Sequence, residues 1–140
     1  MVGGVTVCGS EFEVWRPLPN INNSFHIQSV KDGEDGFFVT LVSETERLMR
    51  IDVPSPLAYR WQFKDLNPKP WAELEQQSSQ TGAFWKAAES AWIKQLEPAP
   101  GFAGSALHHY LVFTADAVLE FLTDEVPNLS WLDNFFGDAV

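Results

Sequence analysis

The side chains of this 140-residue sequence best suited to acid–base, nucleophilic or metal chemistry are three histidines, one cysteine and 19 carboxylates. His108 and His109 are neighbours, so on a strand they point to opposite faces and cannot chelate one ion together. Each reads as a partly buried, hydrogen-bonded histidine, and His26 could join one of them only through the tertiary fold. Cys8, next to Gly9, has neither a helix N-terminus nor a base beside it. It reads as a small buried hydrophobe and not as a reactive thiol. The pairs Gly3-Gly4, Gly33 with Gly36 and Gly101 with Gly104 lack the lysine and the strand-to-helix context of a phosphate cradle. No Gly-x-Ser-x-Gly supplies a nucleophile. Asp124-Glu125 has the composition of half an acid pair, but adjacent carboxylates are ordinarily solvated. No catalytic residue, metal site or cofactor is expected, and the chain does not read as an enzyme.

Charge says more than any motif. The chain carries 19 acidic against 9 basic residues, a net charge of -10. Such a balance opposes contact with a phosphate backbone, so nucleic acid is not an expected partner. Residues 98–140 hold no lysine or arginine but contain Asp116, Glu120, Asp124, Glu125, Asp133 and Asp138. These anions must face water, meet cations from the first half of the chain, or contact a basic partner. A lone cysteine forms no internal bridge, and the N-terminus has no basic segment followed by an apolar run, so a cytoplasmic location is expected. No apolar stretch is long enough to span a bilayer.

Hydrophobic patterning supplies the elements that must position these groups. Strands are predicted over Glu11–Arg16, over Ser24–Val30 and Phe37–Val42 about a turn containing Gly33 and Gly36, and over Leu48–Val53. Leu57, Tyr59, Trp61 and Phe63 alternate with Ala58, Arg60 and Gln62, which predicts a strand buried on one side. Proline-rich brackets at residues 67–70 and 97–101 enclose helical patterns. One is a short helix over Trp71–Gln77; the other is an amphipathic helix over Ala83–Leu96, with Trp85, Ala88, Trp92 and Leu96 on one stripe. Strands return at Leu107–Phe113 and Val118–Leu122 as a hairpin, with a helical turn over Ala117–Leu122 as the alternative, and a short helix over Pro127–Phe136 ends the chain. Residues 16–23 read as an exposed connection. Together these predict a single α+β domain over residues 1–140. Its antiparallel sheet has about six or seven strands, with the 85–96 helix packed on one face.

Two segments, Leu48-Met49-Arg50-Ile51-Asp52-Val53 with Ala58-Tyr59-Arg60, and His108-His109-Tyr110-Leu111-Val112-Phe113 with Leu119-Glu120-Phe121-Leu122, resemble small uncharacterised bacterial domains of the immunity-protein type. Trp85–Gln95 is similar to the helix that precedes the His-Tyr strand in such domains. The resemblance implies a fold and a binding role; it carries no catalytic residue across.

The expected function is a non-enzymatic protein-binding module whose acidic C-terminal third meets a basic protein. The residues singled out for contact are His108, Asp116, Glu120, Asp124, Glu125 and Trp131. Trp61, Trp85 and Trp92 lie on core stripes, whereas Trp15, Trp71 and Trp131 sit beside loops or termini. Joint exposure of two from the latter group would mark an interface. Two alternatives are a small-ligand carrier with an aromatic pocket and, ranked last, an enzyme using His26, His108 or His109 as acid or base.

Overall fold

The computed structural model describes residues 4–16, 24–54, 56–77, 83–97 and 107–132. Residues 17–23, 78–82, 98–106 and 133–136, on which several expectations fall, lie outside that set, as do Asp133 and Asp138. Ten strands and two helices follow one another as β1 (Val5–Val7), β2 (Ser10–Val14), β3 (Phe25–Gly33), β4 (Gly36–Ser43), β5 (Leu48–Val53), β6 (Ala58–Phe63), α1 (Lys69–Gln77), β7 (Phe84–Glu89), α2 (Ala91–Leu96), β8 (His108–Phe113), β9 (Ala117–Thr123) and β10 (Asn128–Trp131). The strands form two antiparallel sheets, ordered β1-β2-β7-β8-β9-β6 and β10-β5-β4-β3.

Of the described residues 56% are strand and 14% helix, so this is mostly β structure, and it corrects the expected α+β fold in three places. First, one sheet of six or seven strands is replaced by two sheets of six and four. Second, the helix expected over Ala83–Leu96 is strand β7 followed by the single-turn-and-a-half helix α2. β7 lies inside the larger sheet, with Phe84 in the core between the sheets and Trp85 in the core on the opposite face. With its first two residues, Phe84 and Trp85, buried on opposite faces and the rest half-buried or exposed, β7 shows no two-residue alternation. Joined to α2 through Ser90, its tryptophan and alanines fall into helical spacing by concatenation. Third, the helix expected over Pro127–Phe136 contains strand β10, which pairs with β5 and buries Leu129.

Several of the other expected elements have counterparts. The alternation of Leu48–Val53 becomes β5 with Met49, Ile51 and Val53 buried. Gly33 and Gly36 close the β3–β4 hairpin around Glu34-Asp35, and Gly36 has φ +121°, a conformation that favours glycine. Pro70 and Trp71 open α1, and the Trp71 indole N–H donates to the Thr114 carbonyl at 2.9 Å. Cys8 departs from its buried reading: it is exposed in the two-residue turn joining β1 to β2, with φ +50° beside Gly9 at φ +85°. Positive φ at both central residues is the hairpin geometry that suits strand twist.

Three layers result. Phe84, Tyr110, Val112, Leu119 and Phe121 of the larger sheet pack on Phe25, Phe37, Val39, Leu41, Met49, Ile51, Val53 and Leu129 of the smaller. The other face of the larger sheet gathers Val5, Val7, Phe12, Trp85, Leu111, Phe113 and Val118 under Trp71 of α1. β9 is buried along its whole length. Beyond it lies β6 at the end of the larger sheet, where Tyr59 stands opposite Phe121 and Trp61 opposite Leu119. Cross-strand partners share a face, so the β6 aromatics point toward the smaller sheet. That sheet is two strands narrower and leaves them uncovered. Leu57 is 59%, Tyr59 41%, Trp61 38% and Phe63 48% exposed, which overturns their expected burial and the core reading of Trp61.

Candidate functional site

Two arrangements stand out, one sealed and one open, and both involve β6. In the sealed one, β8 directs His109 to the helix-covered face, where its ring lies edge-on between Phe12 (5.0 Å) and Trp92 (5.4 Å). His109 Nδ1 is 2.7 Å from Ser90 Oγ, and its Nε2 is 2.8 Å from Glu120 Oε1. Arg60 donates from Nε to Glu120 Oε2 at 2.8 Å and from Nη2 to Oε1 at 3.2 Å, with its guanidinium 4.0 Å above the Trp92 ring. Burial pushes the Glu120 carboxyl toward its neutral form. The hydrogen bonds from His109 and Arg60 outweigh that and hold its pKa below the ordinary carboxylate value. A carboxylate only accepts, so His109 Nε2 is the donor to Glu120, while Nδ1 and the Ser90 hydroxyl share the second hydrogen bond.

Ser90, His109 and Glu120 stand in the order of a hydroxyl, a base and an orienting acid. The serine oxygen is already committed: it accepts the Ile93 N–H at 3.1 Å as the cap of α2, and Ser90 is only 7% exposed. What the chain of bonds accomplishes is mechanical. It fastens the edge strand through Arg60, β9 through Glu120 and β8 through His109 to the start of α2.

The open arrangement is the free edge of β6. Lys64 N–H donates to the Asp116 carbonyl at 2.8 Å, which places the even-numbered residues of β6 in the bonded positions against β9. The N–H and C=O groups of Tyr59 and Trp61 therefore point away from the sheet, as does the Phe63 N–H, while the Phe63 carbonyl accepts from Leu66 and Asn67. Among the described residues nothing bonds to the outward groups of Tyr59 and Trp61. Trp61 and Phe63 rings lie 5.4 Å apart, Tyr59 touches Phe37 at 4.6 Å, and Leu66 just beyond is 85% exposed.

The other edges are protected. At β1 the Gln77 side chain bonds both the N–H and the C=O of Thr6, and Glu73 accepts the Cys8 N–H at 3.2 Å. β3 carries a bulge between Ile27 and Ser29, with Lys31 and Asp32 further along, and β10 is four residues long. Bulges, charges and short length are the usual protections of a sheet edge. β6 has none of them on its aromatic face.

The residues singled out from sequence are scattered over this frame. Asp116 is exposed at the β8–β9 turn, 3.6 Å from His26 Nδ1. Asp124 and Glu125 are exposed past the far end of β9, about 25 Å away at the rise of a strand. Glu120 is buried between Arg60 and His109 and presents no free charge to a partner. Trp131 is half-buried against Phe25, with the Arg47 guanidinium 3.9 Å above its ring. His108 is half-buried near Tyr110; burial, then the charge of Lys86, lowers its pKa. Partial desolvation under neighbouring groups raises the pKa of the otherwise exposed Cys8, with Glu73 and Glu120 adding to it, opposite to an activated thiol. Sequence reasoning missed Ser90, Arg60 and Trp92, which meet only in the fold. His109 and Glu120 lay within reach of it, since the β8–β9 register makes them diagonal neighbours across one hairpin.

A shallow cleft of about 560 Å³ lies on the outer face of the smaller sheet, lined in part by Ser29, Lys31, Phe38, Thr40, Arg50 and Leu132. Arg50 covers the Phe38 ring at 3.9 Å and bonds Asp52 at 2.9 Å, which neutralises it. Among the described residues no group of three or more His, Cys, Asp or Glu side chains could hold a metal, and no helix is long and apolar enough to cross a membrane. Compared with protein-family models, curated proteins and solved structures, the chain matches none of them.

Proposed function

We propose that this chain is a non-enzymatic protein-binding module whose contact surface is the open edge and aromatic stripe of β6. The supporting observation is the contrast between edges: β1 is closed by Gln77 and Glu73, whereas the outward backbone groups of Tyr59 and Trp61 on β6 have no partner among the described residues and lie beside the exposed Leu57, Tyr59, Trp61 and Phe63 side chains. Exposed aromatic side chains together with free ladder positions are what an added strand requires: the backbone supplies affinity and alternate side chains supply specificity. The contact is therefore led by apolar surface. Asp124 and Glu125 beside the Leu57 end contribute local charge, a narrower role than the whole acidic third was expected to play.

The test compares the protein with a Trp61→Arg, Phe63→Asp double variant that retains its circular dichroism spectrum and melting temperature. A protein held by the original chain, then purified and mixed back, should slow hydrogen exchange at Tyr59, Trp61 and Phe63 and should lose affinity at least tenfold for the variant. Equal affinity for both chains, or protection confined to other strands, overturns the reading.

A further inference from the structure

We infer that the protein docked on β6 is a second copy of this chain, joined by antiparallel pairing of the two β6 strands about a two-fold axis at Trp61. This rests on the reading of β6 as the contact surface and names its occupant.

The strand is self-complementary in three respects. Its outward backbone groups belong to odd-numbered residues, so an axis at Trp61 makes Trp61 face Trp61 of the other copy as a hydrogen-bonded pair. The Trp61 groups then exchange two bonds, and each Phe63 N–H meets the Tyr59 carbonyl of the other copy. The reciprocal bond, Tyr59 N–H to the Phe63 carbonyl, competes with the Leu66 and Asn67 N–H groups that this carbonyl already accepts, so the ladder is complete at Trp61 and single at its two ends. Second, the side chains match in that register. Tyr59 lies opposite Phe63 on the stripe, while Arg60 faces Gln62 and Ala58 faces Lys64 on the other side. The neighbouring register, centred on Arg60, sets two guanidinium-bearing residues face to face and is disfavoured. Third, antiparallel pairing brings the Lys64 end of one copy beside the Asp124–Glu125 end of the other.

The size is also adequate. Each stripe residue leaves roughly 100 Å² uncovered. Leu57, Tyr59, Trp61, Phe63 and Leu66 from two copies expose about 1,000 Å² in all, an upper limit on what the pair can bury from these side chains and close to the lower bound for a specific interface. A weak, reversible dimer follows, with one twelve-stranded sheet running through both copies.

Salt separates this occupant from a basic partner. Two chains of charge -10 repel, so their association tightens when repulsion is screened, while binding of a basic protein loosens. Sedimentation equilibrium from 5 to 500 µM is expected to show a monomer–dimer equilibrium. Its dissociation constant should fall at least threefold between 50 and 500 mM NaCl, and should rise at least tenfold in Trp61→Lys and, independently, in Phe63→Lys. In a Cys8→Ser background, the Ala58→Cys, Lys64→Cys chain should oxidise to a covalent dimer and the Ala58→Cys, Gln62→Cys chain should not. A monomer at every concentration and salt, or a dimer indifferent to both lysine variants, overturns the inference. If the chain stays monomeric while another purified protein protects the Tyr59 and Trp61 amides, the second copy is excluded and the contact surface stands. If neither a copy nor another protein protects those amides, both fail.

Discussion

Glu120 sits on a strand buried along its length, and its charge is kept by two neighbours that reach it from different elements. Glu120→Ala leaves the His109 Nε2 proton and much of the Arg60 guanidinium without an acceptor. The expected loss is about 2–3 kcal/mol in urea unfolding, below the range for a wholly buried pair because Arg60 remains partly in water. The carboxyl pKa is lowered in the folded chain, so its contribution is complete above the ordinary carboxylate range near 4.3 and is lost as pH falls through the lower folded value. Stability measured from pH 6 to pH 2 should therefore fall more steeply in the original chain than in Glu120→Gln. Equal slopes would remove Glu120 from the acid response. At this scale the sequence was a mixed guide. It marked the carboxylates of the last third as lacking local cations, and Glu120 does find its cation, Arg60, in the first half. It gave no sign that Ser90, 19 residues from His109, would cap a helix and bond the imidazole with the same oxygen.

Ser90 is also where one element ends and another starts. The Ser90 hydroxyl holds the Ile93 N–H, and the Ser10 hydroxyl accepts the Ala91 N–H at 2.9 Å, so the start of α2 is pinned from two sides. A helix of six residues has little stability of its own and depends on such contacts. Ser90→Ala is expected to cost about 2 kcal/mol, combining a lost cap with an unsatisfied His109 Nδ1. Ser90→Thr should recover part of it, and an alanine variant as stable as the original would show that α2 is held by packing alone. Elements with one wet face were legible: β5 and the β3–β4 hairpin display their alternation and their turn residues openly. β8 and β9, buried on both faces, were legible too as continuous apolar runs; β7 and β10 were not. β7 loses its two-residue period because Phe84 and Trp85 are both core, and β10 hides because its four residues contain one buried leucine.

For the whole molecule, the decisive quantity is the mismatch between a sheet of six strands and a sheet of four. A sandwich of equal sheets would have buried the β6 stripe, as its alternation predicts. Sequence periodicity reports that one face of β6 is apolar; it cannot say whether another layer extends far enough to cover it. The same limit explains why aromatic content read as core and charge as the guide to function, when the uncovered aromatics offer the larger contact surface. Gln77 now has a meaning beyond the stability of β1. A molecule with one open sheet edge can join only one other, and the assembly stops at a pair. With both ends of the sheet open, each molecule could join two neighbours and growth would have no natural end. Gln77→Ala frees the Thr6 N–H and C=O, and light scattering at concentrations where the original chain stops at a dimer should then rise steadily with time. Unchanged scattering would show that Glu73 alone blocks that edge. Under the pairing inferred above, the Gln77 amide would set the difference between a closed pair and an open fibre.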